Sequence, residues 1–416
     1  MLKDKQLISW ALYDWANSVF ATVVIAGFFP IIFKQYWAQN LTSDQSTFWL
    51  GSANSFSSLM IVILAPLLGT VADFRGIRKR MLLIFMLMGV IATLLIYPVA
   101  AGQWWLVLIF YMMGILGFMG ANIFYDALLI DVSRGHHIDK VSGLGFGMGY
   151  LGGGILLAAC VYLSQNPEIF GFSSTVDAIL FSFLITAFWW LIFSMPLALW
   201  VDEAKPDYQQ QASVKAIFKQ TAKTFSVIFK DRHTRLFLIA YWLYIDGVDT
   251  IIRMAVDYGL ALGFDSGDLI AALLITQFVG FPAAIIYSYI GDKVGVKISL
   301  VTGIIIYGFI TLFGFYMQSV EQFYFLAVMI GLVQGGVQAL SRSFYARLIP
   351  KNKTAEYFGV YNMMGKAAAI IGPLLMGTVA LITNNHRYSI LSIMILFIAG
   401  LLLLLYVEDP SKEGSQ

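Results

Sequence analysis

Long apolar runs recur along the whole chain and are separated by short polar segments. A transmembrane helix needs about 20 mostly apolar residues, and runs of this kind predict twelve spans. The predicted spans are 8–33, 49–72, 81–101, 104–130, 143–163, 178–201, 236–262, 269–290, 298–317, 323–345, 358–382 and 388–407. Asp14 and Asn17 interrupt the first of them. The pattern therefore predicts an all-α membrane protein.

Lysine and arginine concentrate in alternate loops between these spans. The basic segments are 3–5, 75–80, 134–140, 205–235, 293–297 and 347–353. The loops on the opposite side carry only Lys34 and Arg387. Because short loops rich in Lys and Arg stay in the cytoplasm, the sequence predicts that both termini are cytoplasmic.

The hydropathy pattern breaks between residues 202 and 235, which are polar and basic. Apolar and hydroxyl side chains recur there at helical spacing: Val214, Ile217, Phe218, Thr221, Phe225 and Ile228. This spacing predicts an amphipathic helix lying on the cytoplasmic face; a plain solvated linker is the alternative. The segment would join an N-terminal six-helix half, residues 1–201, to a C-terminal six-helix half, residues 236–416.

Composition agrees with a membrane protein, because only 12% of the residues are charged against about 25% in soluble domains. Cys160 is the only cysteine, and the four histidines lie near segment ends and do not cluster like metal ligands. We therefore expect no disulfide within the chain, no metal site and no cofactor. Nothing in the charge distribution indicates a nucleic-acid partner.

Two loops carry the same short pattern at corresponding positions of the two halves. Asp73-Phe-Arg-Gly76-Ile-Arg78 and Asp292-Lys-Val-Gly295-Val-Lys297 both fit D-x-x-G-x-[R/K]. The glycine permits a tight turn, and the aspartate can accept hydrogen bonds from a neighbouring helix N-terminus. Repeated six-span halves are typical of transporters, whose substrate site lies between the repeats. The many glycines of 143–154 predict close helix packing between the halves.

Charged residues inside the seventh span form one stripe. Asp246, Asp249, Arg253 and Asp257 are spaced by three, four and four residues, which places them on one side of a helix. A charge at the bilayer centre costs roughly 2.5–3.5 kcal/mol on insertion scales. This side must therefore meet protein or water. Asp257 lies nearest the outer rim, where it would orient Arg253 or meet solvent.

The loop motif with Gly69, Asp73, Gly76 and Arg78 resembles that of the major facilitator superfamily. Four further stretches, 10–18, 244–251, 334–343 and 366–373, are similar to its vacuole-effluxer-like branch, which includes fungal vacuolar amino-acid exporters. The resemblance implies that spans one, four, seven and ten line a central path, and that the loop motif holds a cytoplasmic gate. The short termini and compact linker favour a bacterial member.

Polar residues of the spans and motif loops are the candidate site. Those expected to bind substrate or protons are Asp14, Asn17, Asp126, Asp246, Asp249, Arg253, Gln277, Gln334, Gln338 and Lys366. Those expected to act in gating are Gly69, Asp73, Gly76, Arg78, Asp131, Asp292 and Arg342. The alternative for some of these charges is a structural ion pair, as for Arg253 between two aspartates of its own helix.

The combined prediction is a secondary active transporter rather than an enzyme. It would move a small polar solute by alternating access, with an amino acid as the first candidate by resemblance, export as the direction and proton coupling as a hypothesis. We expect a monomer in the lipid bilayer of a bacterial inner membrane. The alternatives are efflux of another metabolite or drug-like amphiphile, a receptor built on a transporter fold, and an intramembrane enzyme.

Overall fold

The structure, a computed structural model, describes residues 4–134, 136–203, 213–368, 371–383 and 386–408, and the regular structure within these ranges is helical throughout. Ten helical segments of this described part are long and apolar enough to cross a membrane. They are Lys5–Trp37, Phe48–Arg75, Arg78–Ile96, Trp104–Val132, Ile138–Gln165, Thr175–Trp200, Gly267–Val294, Val296–Tyr316, Val320–Leu348 and Arg387–Leu405. The predicted seventh and eleventh spans are not among them. The seventh carries charges at its centre, and residues 369–370 of the eleventh lie outside the described ranges.

The described part of residues 1–201, which we call the N-terminal half, contains seven α-helices. They are α1 (Lys5–Val19), α2 (Phe29–Ile32), α3 (Ser43–Arg75), α4 (Arg78–Ile96), α5 (Trp104–Val132), α6 (Ile138–Gln165) and α7 (Thr175–Trp200). Two π-helical segments, Phe20–Phe28 and Phe33–Trp37, continue the first span on either side of α2, and a short 3₁₀ turn, Pro167–Phe170, precedes α7. The first span is therefore a single, locally widened helix.

The linker and the C-terminal half contain the remaining helices. They are α8 (Val214–Lys230), α9 (Arg232–Ala261), α10 (Ser266–Val294), α11 (Val296–Tyr316), α12 (Val320–Leu348), α13 (Thr354–Ala367), α14 (Ile371–Thr383), α15 (His386–Ser392) and α16 (Met394–Leu405). The helix α8 lies within the segment for which the sequence predicts an amphipathic helix.

Local sequence sets several helix ends. The side chain of Asp4 accepts hydrogen bonds from the amides of Gln6 and Leu7 and so starts α1, as expected of an N-cap residue. Gly76 ends α3 with φ of 61° and Gly295 ends α10 with φ of 114°. Glycine adopts these values without strain, so both glycines of the repeated motif make the turn that the sequence predicts.

The halves pack closely where α3 meets α13. A Cβ atom on Gly359 would lie 2.5 Å from the carbonyl oxygen of Ala65, and one on Gly69 would overlap the carbonyl oxygen of Ala355. Side chains of any size are excluded at both points. The backbones of the two halves are therefore in direct contact along this edge.

On the opposite edge, α6 packs against α10 and α12. Cβ atoms on Gly143 and Gly147 would collide with Ser288 and with Ile285 of α10, respectively. This is the close packing between halves that the glycine-rich stretch predicts. Large apolar side chains such as Ile84 and Ile192 remain more than half exposed, and they face outward, where a bilayer would cover them.

We predict that Gly359→Ala lowers the free energy of unfolding by about 1–3 kcal/mol, because the added methyl group overpacks the α3–α13 contact. Gly51→Ala on α3 is the matched control, since no atom lies within 4 Å of the position its Cβ would take. Denaturation in detergent measures both. Equal stabilities of the two variants would contradict the close contact.

Candidate functional site

The two halves are joined around the guanidinium of Arg342 on α12. Its Nη1 donates to Oδ1 of Asp126 on α5 at 3.0 Å. Its Nε and Nη2 donate to the hydroxyl and carbonyl oxygens of Ser142 on α6, at 3.0 and 2.9 Å. Asn362 on α13 donates to the other oxygen of Asp126 at 3.0 Å. One buried charge therefore connects helices of both halves.

Aromatic rings surround this guanidinium. The Cζ atom of Arg342 lies 4.3 Å from the ring centre of Phe146, 5.1 Å from that of Trp10 and 5.3 Å from that of Tyr125. Trp10 and Tyr125 are themselves stacked, with ring centres 4.3 Å apart. The rings offer cation–π attraction and exclude water, which strengthens the ion pair with Asp126.

Asp73 of the first motif copy also reaches the opposite half. Its Oδ1 accepts from Nε of Arg78 at 2.7 Å, while Nη1 of the same arginine donates to Asp131 at 3.0 Å. The other oxygen of Asp73, Oδ2, accepts from the backbone amide of Glu356, at the start of α13, at 2.7 Å. The sequence predicts this kind of contact, since a helix N-terminus attracts a carboxylate.

The second motif copy makes the reciprocal contact with different donors. Asp292, at the end of α10, pairs with Nζ of Lys140 at 2.9 Å and with Nδ1 of His137 at 2.7 Å, both at the start of α6. Asp139 of α6 pairs with Arg347 of α12 nearby. These contacts all lie among the Lys- and Arg-rich loops, which we call the basic end of the molecule. The halves are joined there.

Outside the spans, Glu203 follows α7 and accepts a hydrogen bond from the amide of Lys79 at 2.9 Å. Burial raises the pKa of Glu203, and the Lys79 amide acts in the opposite direction. This contact fixes the start of α4 beside the first motif copy.

Asp14 lies on α1 next to the Arg342 cluster. It is 8% exposed, and it accepts hydrogen bonds from Ser18 at 3.0 Å and from the hydroxyl of Tyr125 at 3.3 Å. The ring of Tyr125 thus contacts the arginine while its hydroxyl contacts the aspartate. One turn away, Asn17 donates to Asn122 of α5 at 2.6 Å.

Asp246 on α9 stabilises the beginning of α14. Its Oδ1 accepts from the amide of Gly372 at 2.9 Å and from the hydroxyl of Thr250 at 3.4 Å. A Cβ atom on Gly372 would overlap the Thr250 hydroxyl. Asp246 is 1% exposed, and its Oδ2 accepts no hydrogen bond from the described residues. The carboxylate therefore caps a helix of the neighbouring span and keeps one oxygen available.

The predicted glutamines lie on the facing helices. Gln338 of α12 accepts from the hydroxyl of Tyr150 at 3.4 Å, and Gln334, one turn earlier, is buried. Gln277 of α10 is half-buried and lies opposite Gly154 of α6. These amides line the contact between α6, α10 and α12.

The remaining predicted ligands are on α9 and α13. Asp249 and Lys366 are both half-buried and both interact with other groups. The side chains of Arg253 and Asp257 lie outside the described part of the structure. The charged stripe is therefore described only in its first half, at Asp246 and Asp249.

Within the described ranges, no group of three or more His, Cys, Asp or Glu side chains could hold a metal ion. The carboxylates instead have amides, hydroxyls and guanidinium groups as partners. Such groups can exchange partners with a polar solute or accept a proton.

Several residues of the cluster are absent from the sequence-based candidates. Ser142 and Asn362 are small polar residues in helices, a pattern too common to single out. Asp139 and Arg347 appear only as loop charges in the sequence. Conversely, Asp126 is a predicted ligand, and the structure engages both of its oxygens with Arg342 and Asn362.

Comparison with known proteins identifies the class. The fold matches that of the human organic anion transporter MFSD10 (TETRAN), with a TM-score of 0.72 at 12% sequence identity, covering 96% of this chain and 99% of that one. The chain therefore has the same fold as that transporter.

Sequence comparison gives the family. The family described as "Vacuole effluxer Atg22 like" matches residues 44–137 and 131–414, and the chain belongs to it. The chain is 38% identical to the "Uncharacterized MFS-type transporter YxiO" of Bacillus subtilis (strain 168), over 99% of this chain and 97% of the relative. It is 27% identical to Autophagy-related protein 22 of Yarrowia lipolytica, over 66% of this chain and 51% of that protein. The resemblance drawn from the motifs is confirmed.

We predict that Arg342→Gln lowers the free energy of unfolding by about 3–5 kcal/mol, because it leaves the buried Asp126 carboxylate without its cation. Adding Asp126→Asn removes that unpaired charge and should recover part of the loss. Arg134→Gln is the matched control, since its side chain is 69% exposed and its ion pair is worth about 1 kcal/mol or less. Additive losses from the two cluster substitutions would contradict the coupling.

Proposed function

We propose that this chain exports a small polar solute, with an amino acid as the first candidate, by alternating access across a bacterial cell membrane. Twelve spans, cytoplasmic termini and action as a monomer belong to the same proposal. The loop charges support this orientation, and it makes the basic end the cytoplasmic gate. The family description as a vacuole effluxer supports export.

The environment of Asp246 is the observation that carries the proposal. One oxygen of this buried carboxylate holds the start of α14, while the other accepts no hydrogen bond from the described residues. A buried polar atom of this kind costs free energy until a partner arrives. The ammonium group of an amino acid is a suitable partner, and its carboxylate would need a cation such as Lys366 or Arg253.

A proton can take the place of the ammonium group in the empty site. A buried carboxyl group binds either a proton or a cationic partner, so solute and proton would compete at Asp246. If only one of them can occupy Asp246 at a time, solute moves across the membrane in one direction as protons move in the other. Asp14, whose oxygens accept from hydroxyl donors beside the Arg342 cluster, is the second candidate for this role.

We predict that Asp246→Asn reduces amino-acid flux into proteoliposomes by roughly ten- to a hundredfold, the effect of losing one charged hydrogen bond. The assay would use pooled radiolabelled amino acids with the purified chain. Asp265→Asn is the control, because that aspartate is exposed in the loop before α10 and its side chain caps no amide. Unchanged flux in the Asp246 variant would exclude it from the site, and absence of amino-acid flux with the unsubstituted chain would contradict amino acids as the substrate.

We also predict that an imposed pH gradient drives uphill solute movement in the original chain and not in Asp246→Asn. The reason is that asparagine cannot exchange a proton. Solute accumulation is measured in three conditions: with the pH gradient imposed, with the gradient reversed, and with the gradient collapsed by an ionophore. Proton coupling through Asp246 would be contradicted if solute accumulation by the variant depended on the pH gradient as fully as it does in the unsubstituted chain.

A further inference from the structure

The inner side of α8 binds both halves of the molecule. The hydroxyl of Thr221 lies 2.8 Å from that of Thr70 on α3. Gln220 donates to the two oxygens of Glu356 on α13 at 3.2 and 3.3 Å, and Thr224 donates to the same carboxylate. Glu356 is the residue whose amide binds the first motif copy. The helix therefore spans the α3–α13 contact at the basic end.

The position of α8 is set by its connection to the following span. A single residue, Asp231, separates α8 from α9, and its carboxylate accepts from the amide of Thr234 at 2.7 Å. Ile228 near the end of α8 is 1% exposed. The helix must therefore lie at the level where α9 enters the bilayer.

The outer side of α8 is aromatic along one flank. Phe218 is 57% exposed and Phe229 is 41% exposed, and Phe225 between them stacks on Phe229 with ring centres 6.4 Å apart. These positions share one face of a helix. Exposed phenylalanines of this kind are stable when they enter the boundary between headgroups and acyl chains.

Beside this flank runs a stripe of exposed lysines, Lys215, Lys219 and Lys223. Residues 214–230 contain no aspartate or glutamate, and none of these lysines forms a salt bridge to a described residue. Like charges four residues apart destabilise a helix. An anionic surface would remove this repulsion, and lysines beside an interfacial aromatic flank are suited to anionic lipid headgroups.

We propose that α8 is a lipid-dependent lock on the gate. Anionic lipids of the adjoining leaflet bind the lysine stripe and the aromatic flank, and this binding holds the inner side of α8 across α3 and α13. The joined state of the basic end is thereby favoured. This inference rests on the proposed alternating access, because it states that anionic lipids stabilise the joined state of the basic end over the separated state.

The test measures the distance across the basic end by pulsed electron paramagnetic resonance. Spin labels at the exposed positions Arg80→Cys and Asn352→Cys, on a Cys160→Ala background, report on the full chain in nanodiscs. Adding phosphatidylglycerol to phosphatidylcholine should raise the short-distance population relative to the long one by roughly tenfold, as expected of a few lysines near an anionic surface. Lys215→Gln/Lys219→Gln/Lys223→Gln should abolish this shift.

The matched control replaces the same lysines by arginine, which keeps the charge and should keep the shift. Inorganic phosphate added to phosphatidylcholine nanodiscs should produce no shift, which separates a lipid surface from a free anion. The inference would be overturned if phosphatidylglycerol still shifted the spin-label distances after the glutamine substitutions. It would also be overturned if the distances were the same in every lipid composition. Lipid-dependent distances without amino-acid flux would support the inference while contradicting the proposed substrate. Amino-acid flux together with spin-label distances that do not change with lipid charge would support the proposed substrate and contradict the inference about α8.

Discussion

The burial of one guanidinium, that of Arg342, determines the arrangement of the basic end. A cation removed from water must regain its lost hydration from protein groups, and here a carboxylate, a serine and three aromatic rings supply them. These partners come from α1, α5 and α6, so the arginine of one half is completed by the other half. The halves can part at this end only when the charge finds water or another anion.

The same cluster extends toward the candidate binding residues. Tyr125 stacks within the aromatic cage and donates its hydroxyl to Asp14, so a change of partner at Asp14 alters a group that contacts Arg342. Asp246 has a comparable position in the other half, where it holds the start of α14. Asp246 combines this structural contact with an oxygen that accepts no hydrogen bond from the described residues, whereas both oxygens of Asp14 accept hydrogen bonds. A change of hydrogen-bond partner at either carboxylate would therefore act on the helices that it contacts.

Much of the fold follows from the sequence, because bilayer thickness dictates span length and loop charge follows orientation. The turn glycines Gly76 and Gly295 and the helix-end contact of Asp73 are likewise determined by local chemistry. The contacts that the sequence does not predict are those between helices far apart in the chain, because they depend on which helices pack together. The pairing of Asp126 with Arg342 joins residues 216 positions apart, and no local pattern distinguishes a ligand from an ion-pair partner. Likewise Glu356, Thr224 and Gln220 become a unit only when α8 lies across α13.

The two motif copies bind the opposite half by unlike donors. Asp73 accepts from a backbone amide, which every residue except proline supplies at position 356. Asp292 accepts from the side chains of His137 and Lys140, which particular residues must provide. The two contacts between the halves thus differ in what they require of the sequence. The first contact therefore tolerates any residue except proline at position 356, whereas the second requires suitable donor side chains at positions 137 and 140.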